Sequence, residues 1–149
     1  MLGYKISKDY SEILMTHGGD NMETWMKRVS SQTTRMHMAA EMLRQGISAI
    51  KTLHEIGFVH GDMKPANICL RITKKEKFKF SVIDFGVCQK LPDINRIPKK
   101  NKYFCGNYMF CSEMQLDKYR PNQYCDLVAL VLIAYYFIYR NIPITKYAA

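Results

Sequence analysis

His60-Gly61-Asp62-Met63-Lys64-Pro65-Ala66-Asn67 is the stretch on which the reading of this 149-residue chain turns. It follows a long amphipathic segment and precedes an apolar triplet, Ile68-Cys69-Leu70. A second apolar run, Phe80-Ser81-Val82-Ile83, then ends in Asp84-Phe85-Gly86. Taken singly, each polar cluster reads as a surface loop with a glycine turn. Two of them in order, each set against an apolar run, read as one built site.

The spacing His-x-Asp-x-Lys-x-x-Asn followed by Asp-Phe-Gly resembles the catalytic loop and metal-binding triplet of eukaryotic protein kinases. The resemblance implies transfer of a phosphoryl group from ATP to a protein Ser/Thr hydroxyl, with Mg²⁺ as the metal. Such a transfer needs a carboxylate near the attacking hydroxyl, ligands for the metal, and positive charge near the moving group. By resemblance, Asp62 would accept or orient the hydroxyl proton and Lys64 would steady the γ-phosphate. Asn67 and Asp84 would hold Mg²⁺, a hard cation that prefers oxygen ligands and bound phosphates. The implied catalytic set is thus Asp62, Lys64 and Asn67, and the metal set Asn67 and Asp84. Met15-Thr16-His17-Gly18-Gly19 resembles the hinge whose backbone bonds adenine, which adds Met15 and His17 to Lys64, Asn67 and Asp84 as the nucleotide set.

Length suits one domain, and 48% hydrophobic residues suffice for a core. The net charge of +9, from 22 basic and 13 acidic residues, suits acidic or phosphorylated partners. Nucleic acid is not the expected partner, because no Arg-rich recognition helix or aromatic-basic RNA-binding motif occurs. Five cysteines, an odd number without Cys-x-x-Cys, argue against a disulfide framework or structural zinc. They point to a reducing intracellular compartment, cytoplasm or nucleus, with three of the thiols acting as small core residues. The N-terminus has no signal-peptide apolar core. The most apolar run, Leu127 to Tyr139, is shorter than the roughly 20 residues of a membrane span and reads as a buried helix.

Along the chain, Tyr4-Ile6 and Glu12-Met15 predict two short strands around a polar turn. Asp20 or Asn21 can cap a short helix with Met22, Trp25, Met26 and Val29 on one face. Thr33 or Thr34 can cap a longer one. Its apolar stripe is Met36, Ala39, Ala40, Leu43, Ile47, Ile50, Leu53 and Ile56, at gaps of three and four, and Gly57 ends it. His37 and His54 read as surface or satisfied side chains. Lys74 to Lys79 reads as a solvated hairpin tip.

Further resemblance follows from these residues. His60 would pack on the Asp-Phe-Gly turn. Asp84 to Glu113 would be the activation segment, carrying Arg96, Lys99, Lys100 and Lys102 around Pro92 and Pro98. Asp126-Leu127-Val128-Ala129-Leu130 is similar to the start of the family's large hydrophobic helix, where Asp126 would bond the catalytic-loop backbone. The spacing from Gly106 to Asp126 is most similar to the casein kinase I and vaccinia-related kinase group. The pattern departs from the family in three places. Gly61 replaces an arginine that often receives an activating phosphate. Asn107 stands where a threonine usually bonds the catalytic aspartate. The glycine-rich loop, the lysine strand and its glutamate partner do not occur among the 149 residues, nor do the family's final helices after Ile142-Pro143.

The expected fold is mainly helical α+β, with residues 1–149 a partial kinase domain running from hinge to large helix of the C-terminal lobe. The expected function is that of a Ser/Thr kinase lobe whose isolated chain transfers phosphate weakly or not at all. The rival expectation is a non-catalytic lobe mimic that inhibits or scaffolds an intact kinase or its substrate. An uncovered upper face would make such a chain associate with itself or with another lobe.

Overall fold

The computed structural model describes residues 3–74, 78–92 and 99–142. Arg96, Pro98, Pro143 and the centre of the expected hairpin tip, residues 75–77, lie outside these. Strands β1 (Gly3–Ile6) and β2 (Ser11–Leu14) form an antiparallel hairpin in the register Tyr4 to Ile13, the two short strands expected around a polar turn, with β2 one residue earlier than Glu12-Met15. The chain then enters β3 (Asp20–Asn21) and turns directly into helix α1 (Met22–Arg28). Asn21 Oδ1 caps that helix by accepting the Thr24 N–H at 3.0 Å. Helix α2 (Gln32–Glu55) follows, and Gly57 closes it at φ +86°, a left-handed conformation in which glycine has no side chain to strain.

Strand β4 (Phe58–Val59) leads into the His60 loop. A 3₁₀ turn (Pro65–Asn67) then opens β5 (Ile68–Arg71), which pairs antiparallel with β6 (Lys79–Val82). β5 is the central strand of a three-stranded sheet, β3-β5-β6. Its residues Ile68, Cys69 and Leu70 are all buried, which is why the sequence shows an unbroken apolar triplet there and not an alternation. Strand β7 (Gln89–Lys90) pairs with β4, so the chain beyond Asp84 returns to the start of the His60 loop. Helices α3 (Glu113–Leu116) and α4 (Gln123–Tyr139) complete a mainly helical α+β architecture.

The core lies between α2 and α4. Met38, Met42, Ile50, Leu130, Ile133 and Phe137 are at most 2% exposed. Two expectations for α2 need correction. Its cap is Ser31, whose Oγ accepts the Thr34 N–H at 3.3 Å, and neither Thr33 nor Thr34. Its buried face is Arg35, Met38, Ala39, Met42, Gly46 and Ile50. Of the predicted stripe, Ala39 and Ile50 lie in it, Leu43 and Leu53 are half-buried, and Met36, Ala40, Ile47 and Ile56 are exposed. The helix carries apolar residues on two adjacent faces, and spacing alone ranks them equally. The face α4 takes is the one with Gly46, because a Cβ there would stand 3.1 Å from a Leu130 methyl. A buried cation also sits on it. Arg35 Nε donates to the Ile138 carbonyl at 3.0 Å and so ties α2 to the last turn of α4.

Helix α4 is not buried all round, contrary to the reading of its apolar run. Leu127, Val131, Tyr135 and Tyr139, four residues apart, form an exposed stripe. Among the described residues, no helix is long and apolar enough to cross a membrane. Cys69, Cys111 and Cys125 are the buried thiols, as expected of core cysteines, and all five cysteines are free. Burial pushes the thiols of Cys69 and Cys111 up from their ordinary range. Phe78, expected at a wet tip, packs against the core.

The choice of helix face is testable. Gly46→Leu should overpack the α2–α4 contact and cost about 1–3 kcal/mol. Ile47→Ala, one residue along on the exposed side, should stay within about 0.5 kcal/mol. Urea denaturation of both variants separates the two faces, and equal losses would return Ile47 to the core.

Candidate active site

Asp126 organises the site although it lies 66 residues from the loop it holds. It occupies the first turn of α4 and is 1% exposed. Its Oδ2 accepts the His60 N–H at 2.9 Å and meets His54 Nε2 at 2.8 Å. Its Oδ1 accepts the Gly61 N–H at 2.9 Å. The expectation that Asp126 bonds this loop therefore holds, and His54 is satisfied by it. His60 itself is fully buried, with Nε2 3.1 Å from the Ile83 carbonyl and its ring 5.2 Å from that of Phe85.

Downstream of this anchor, Asp62, Lys64 and Asn67 come together. Lys64 Nζ pairs with Asp62 Oδ2 at 2.6 Å, and both side chains are mostly buried. Asn67, 4% exposed, donates Nδ2 to the Asp62 carbonyl at 2.9 Å and faces Asp62 Oδ2 at 3.5 Å. Among the described residues, Asp62 Oδ1 is buried and has no hydrogen-bond partner. A carboxylate oxygen without a donor is costly inside a protein, so this atom is an acceptor still to be satisfied.

Asp84 reaches the group through the backbone. The Ile83 N–H donates to the Asn67 carbonyl at 2.9 Å, so β6 delivers Asp84 beside the 3₁₀ turn. Asp84 is exposed and left-handed at φ +64°, and its Oδ1 accepts the Gly86 N–H at 3.3 Å. Left-handed backbone is tolerated by Asp better than by most residues, and it turns this carboxylate away from the strand direction. Met15 and His17 stand apart. They are exposed on the connection from β2 to β3, which lies against β5 at Gly18 and Gly19. Among the described residues, no bond joins Met15 or His17 to Asp62, Lys64, Asn67 or Asp84.

Two features of the surroundings were not legible in the spacing. Asn107 does not donate to Asp62; its Oδ1 accepts the Met109 N–H at 2.9 Å and closes its own turn. Gln115, which spacing did not single out, is 3% exposed and donates to the Gly61 carbonyl at 2.9 Å and to the Cys105 carbonyl at 3.1 Å. Its signal was present in Ser112-x-x-Gln115, a capping box that α3 forms. Gly61 is left-handed at φ +78°, and a Cβ on it would lie 3.3 Å from Pro121. That backbone accounts for glycine in the loop.

The donor set suits a hard, phosphate-bound cation. Asn67 and Asp84 offer oxygen ligands, and Mg²⁺ is held by one or two carboxylates with phosphates and waters completing its shell. Among the described residues, no group of three His, Cys, Asp or Glu side chains could hold a metal alone. Beside Lys64, a cavity of about 400 Å³ opens between α1 and the end of α4, lined by Lys27, Met109, Phe110, Tyr136 and Arg140.

These elements match a known family. The protein kinase domain model covers residues 4–148, and the chain belongs to that family. A Caenorhabditis elegans protein provisionally named a serine/threonine-protein kinase is 32% identical over 83% of this chain and 38% of its own length. The dual specificity protein kinase Ttk of Danio rerio is 30% identical over 71% of this chain and 10% of its own. A second C. elegans protein, provisionally named a casein kinase I, is 24% identical over 90% of this chain. The chain spans 38%, 10% and 40% of these three relatives.

Asp126→Asn tests the anchor. The amide can accept on one side only and turns a donor toward His60 or Gly61 N–H. The expected loss is about 2–4 kcal/mol, since a charge-assisted bond goes and a buried donor is left facing another. The measurement is the denaturant midpoint, and a variant within 0.5 kcal/mol of the parent (about the spread of an exposed substitution) would remove Asp126 from this role.

Proposed function

We propose that this chain is the lower, catalytic-loop lobe of a Ser/Thr protein kinase, the part of the domain running from the hinge to the large hydrophobic helix. The observation that carries the reading is the Asp62–Lys64 ion pair with Asn67 against it, on a loop that Asp126 holds in a chain of the protein kinase family. A carboxylate and a cation so paired suit a substrate hydroxyl and the phosphate it attacks. Asp62 would orient that hydroxyl and take its proton as the hydroxyl oxygen bonds to the γ-phosphorus and the bond from that phosphorus to the departing ADP oxygen breaks. Lys64 already carries its ammonium to the same carboxylate and can turn it to a phosphate oxygen. Asn67 and Asp84 would hold the metal, and the Met15–His17 backbone the adenine. Bound ATP supplies the phosphoryl group, and Mg²⁺ neutralises charge on its oxygens.

The substrate side is basic. The Arg120 N–H bonds the Lys99 carbonyl and the Asn101 N–H bonds the Lys118 carbonyl, which gathers Lys99, Lys100, Lys118 and Arg120 on one surface. That supports a protein substrate with acidic neighbours. A second reading, a lobe that binds another kinase or its substrate without catalysis, is favoured by the β1–β2 hairpin. There Tyr4, Ile6, Ile13 and Leu14 are each at least 64% exposed. Light scattering that shows association lost on Ile6→Lys and Ile13→Lys would move weight to it.

The catalytic reading predicts two results. Calorimetry should show Mg²⁺-dependent ATP binding that weakens at least about tenfold in Asp84→Ala, the loss of roughly one charge-assisted contact. A radiolabelled-ATP assay should show transfer when a related upper lobe is fused before Met1. Asp62→Asn should lower that rate by about 10²–10⁴, the usual contribution of a positioned base. ATP affinity equal in parent and Asp84→Ala, with no transfer from the fusion, would overturn the reading.

A further inference from the structure

Gln115 does more in this fold than its place in a capping box requires. The box uses its Oε1, which accepts the Ser112 N–H at 3.2 Å, while Ser112 Oγ accepts the Gln115 N–H at 3.4 Å. The other half of the side chain lies outside the box. Both Nε2 bonds leave α3, one for the Gly61 carbonyl and one for the Cys105 carbonyl. A glutamate would cap the helix as well, since the box accepts either residue, but it could donate to neither carbonyl.

The packing around that amide is as tight as glycine allows. Gly106 is left-handed at φ +118°, and a Cβ there would stand 2.6 Å from Gln115 Nε2 and 2.8 Å from the Gly61 carbonyl oxygen. Three segments therefore meet at one amide: the loop at Gly61, the turn at 105–106, and α3. On the far side, the Gly61 N–H is held by Asp126. Both backbone polar groups of the residue that precedes Asp62 are thus fixed, one by a buried carboxylate and one by a buried amide.

We infer that Gln115 is a positioning residue for Asp62, a neutral clamp that couples the 105–107 turn to the catalytic-loop backbone. Its relevance to phosphoryl transfer rests on the proposed function; the clamp itself does not. The turn it captures carries Asn107 and leads to Met109 and Phe110, which line the cavity beside Lys64. A displacement of that turn is transmitted through Cys105, Gln115 and Gly61 to Asp62 with no charged group in the path.

Amide hydrogen exchange on the full chain, without nucleotide, separates the clamp from the cap. Gln115→Met keeps the volume and loses both donors. It should raise exchange at residues 61–63 and 105–107 together by about tenfold, the effect of one or two neutral hydrogen bonds. The α2 and α4 amides should change less than about twofold, as local opening predicts. Ser112→Ala breaks the box and leaves the Nε2 bonds, so it should loosen residues 113–116 alone. If Gln115→Met does not fold, Gln115→Asn, which keeps the donors and shortens their reach, is read in the same way. The inference is overturned if Ser112→Ala reproduces the Gln115 pattern. It is equally overturned if residues 61–63 are unmoved, or if α2 and α4 loosen as much as the loop. Absent ATP binding in the parent chain would count against the proposed function and leave this result standing.

Discussion

Asp126 puts a negative charge where water hardly reaches. A buried carboxylate is tolerated only when its lone pairs are taken by donors, and here three groups supply them: two consecutive backbone N–H groups and one imidazole. The consequence is geometric. Two successive N–H groups converge on one carboxylate, and Gly61 at φ +78° then turns the chain toward Asp62. Helix α4, helix α2 through His54, and the loop at His60 are thereby referred to a single side chain. The apolar contact between α2 and α4 supplies the stability. Asp126 decides where the loop sits upon it.

From that anchor the arrangement of Asp62, Lys64 and Asn67 follows locally. Pro65 begins a 3₁₀ turn with its φ already set, and the turn brings Asn67 back under the Asp62 carbonyl. The Asn67 backbone in turn captures Ile83 and so fixes where Asp84 emerges from β6. Each candidate side chain is thus placed by hydrogen bonds of the residues beside it, in short loops tied to elements whose apolar faces are buried.

How much of this the sequence disclosed depended on the range of the interaction. Caps, strands and turns written in neighbouring residues were legible: Asn21 before α1, Gly57 after α2, the unbroken Ile68-Cys69-Leu70 run. The polar set of the candidate site and the place of Asp126 were legible through the family resemblance that their spacing carries. What failed was the choice between equivalents. Helix α2 offers two apolar faces, and only the partner at Leu130, some 84 positions from Gly46, selects one. Ser31, Thr33 and Thr34 can each cap, and the backbone before Gln32 selects Ser31. Asn107 shows no bond to Asp62 among the described residues; its Oδ1 accepts the Met109 N–H and closes a local turn, as a short amide side chain in a loop does. Gln115 was hidden for a different reason: its role lies in two carbonyls, and carbonyls leave no trace in sequence.

The Asp62–Lys64 ion pair bears on both readings of this chain. Both side chains are mostly buried, so water screens the pair poorly and each charge depends on the other. Among the described residues, Asp62 Oδ1 is buried without a hydrogen-bond partner, which costs on the order of 1–3 kcal/mol. That cost belongs to either reading, since an acceptor is closed to a substrate while it stays buried. The exposed hairpin at Tyr4 and Ile13 is also common to both, because a surface that joins another lobe serves catalysis and binding alike. Nucleotide binding separates them: a chain that holds ATP and Mg²⁺ through Asn67 and Asp84 has a chemical task, and one that only covers a partner needs neither.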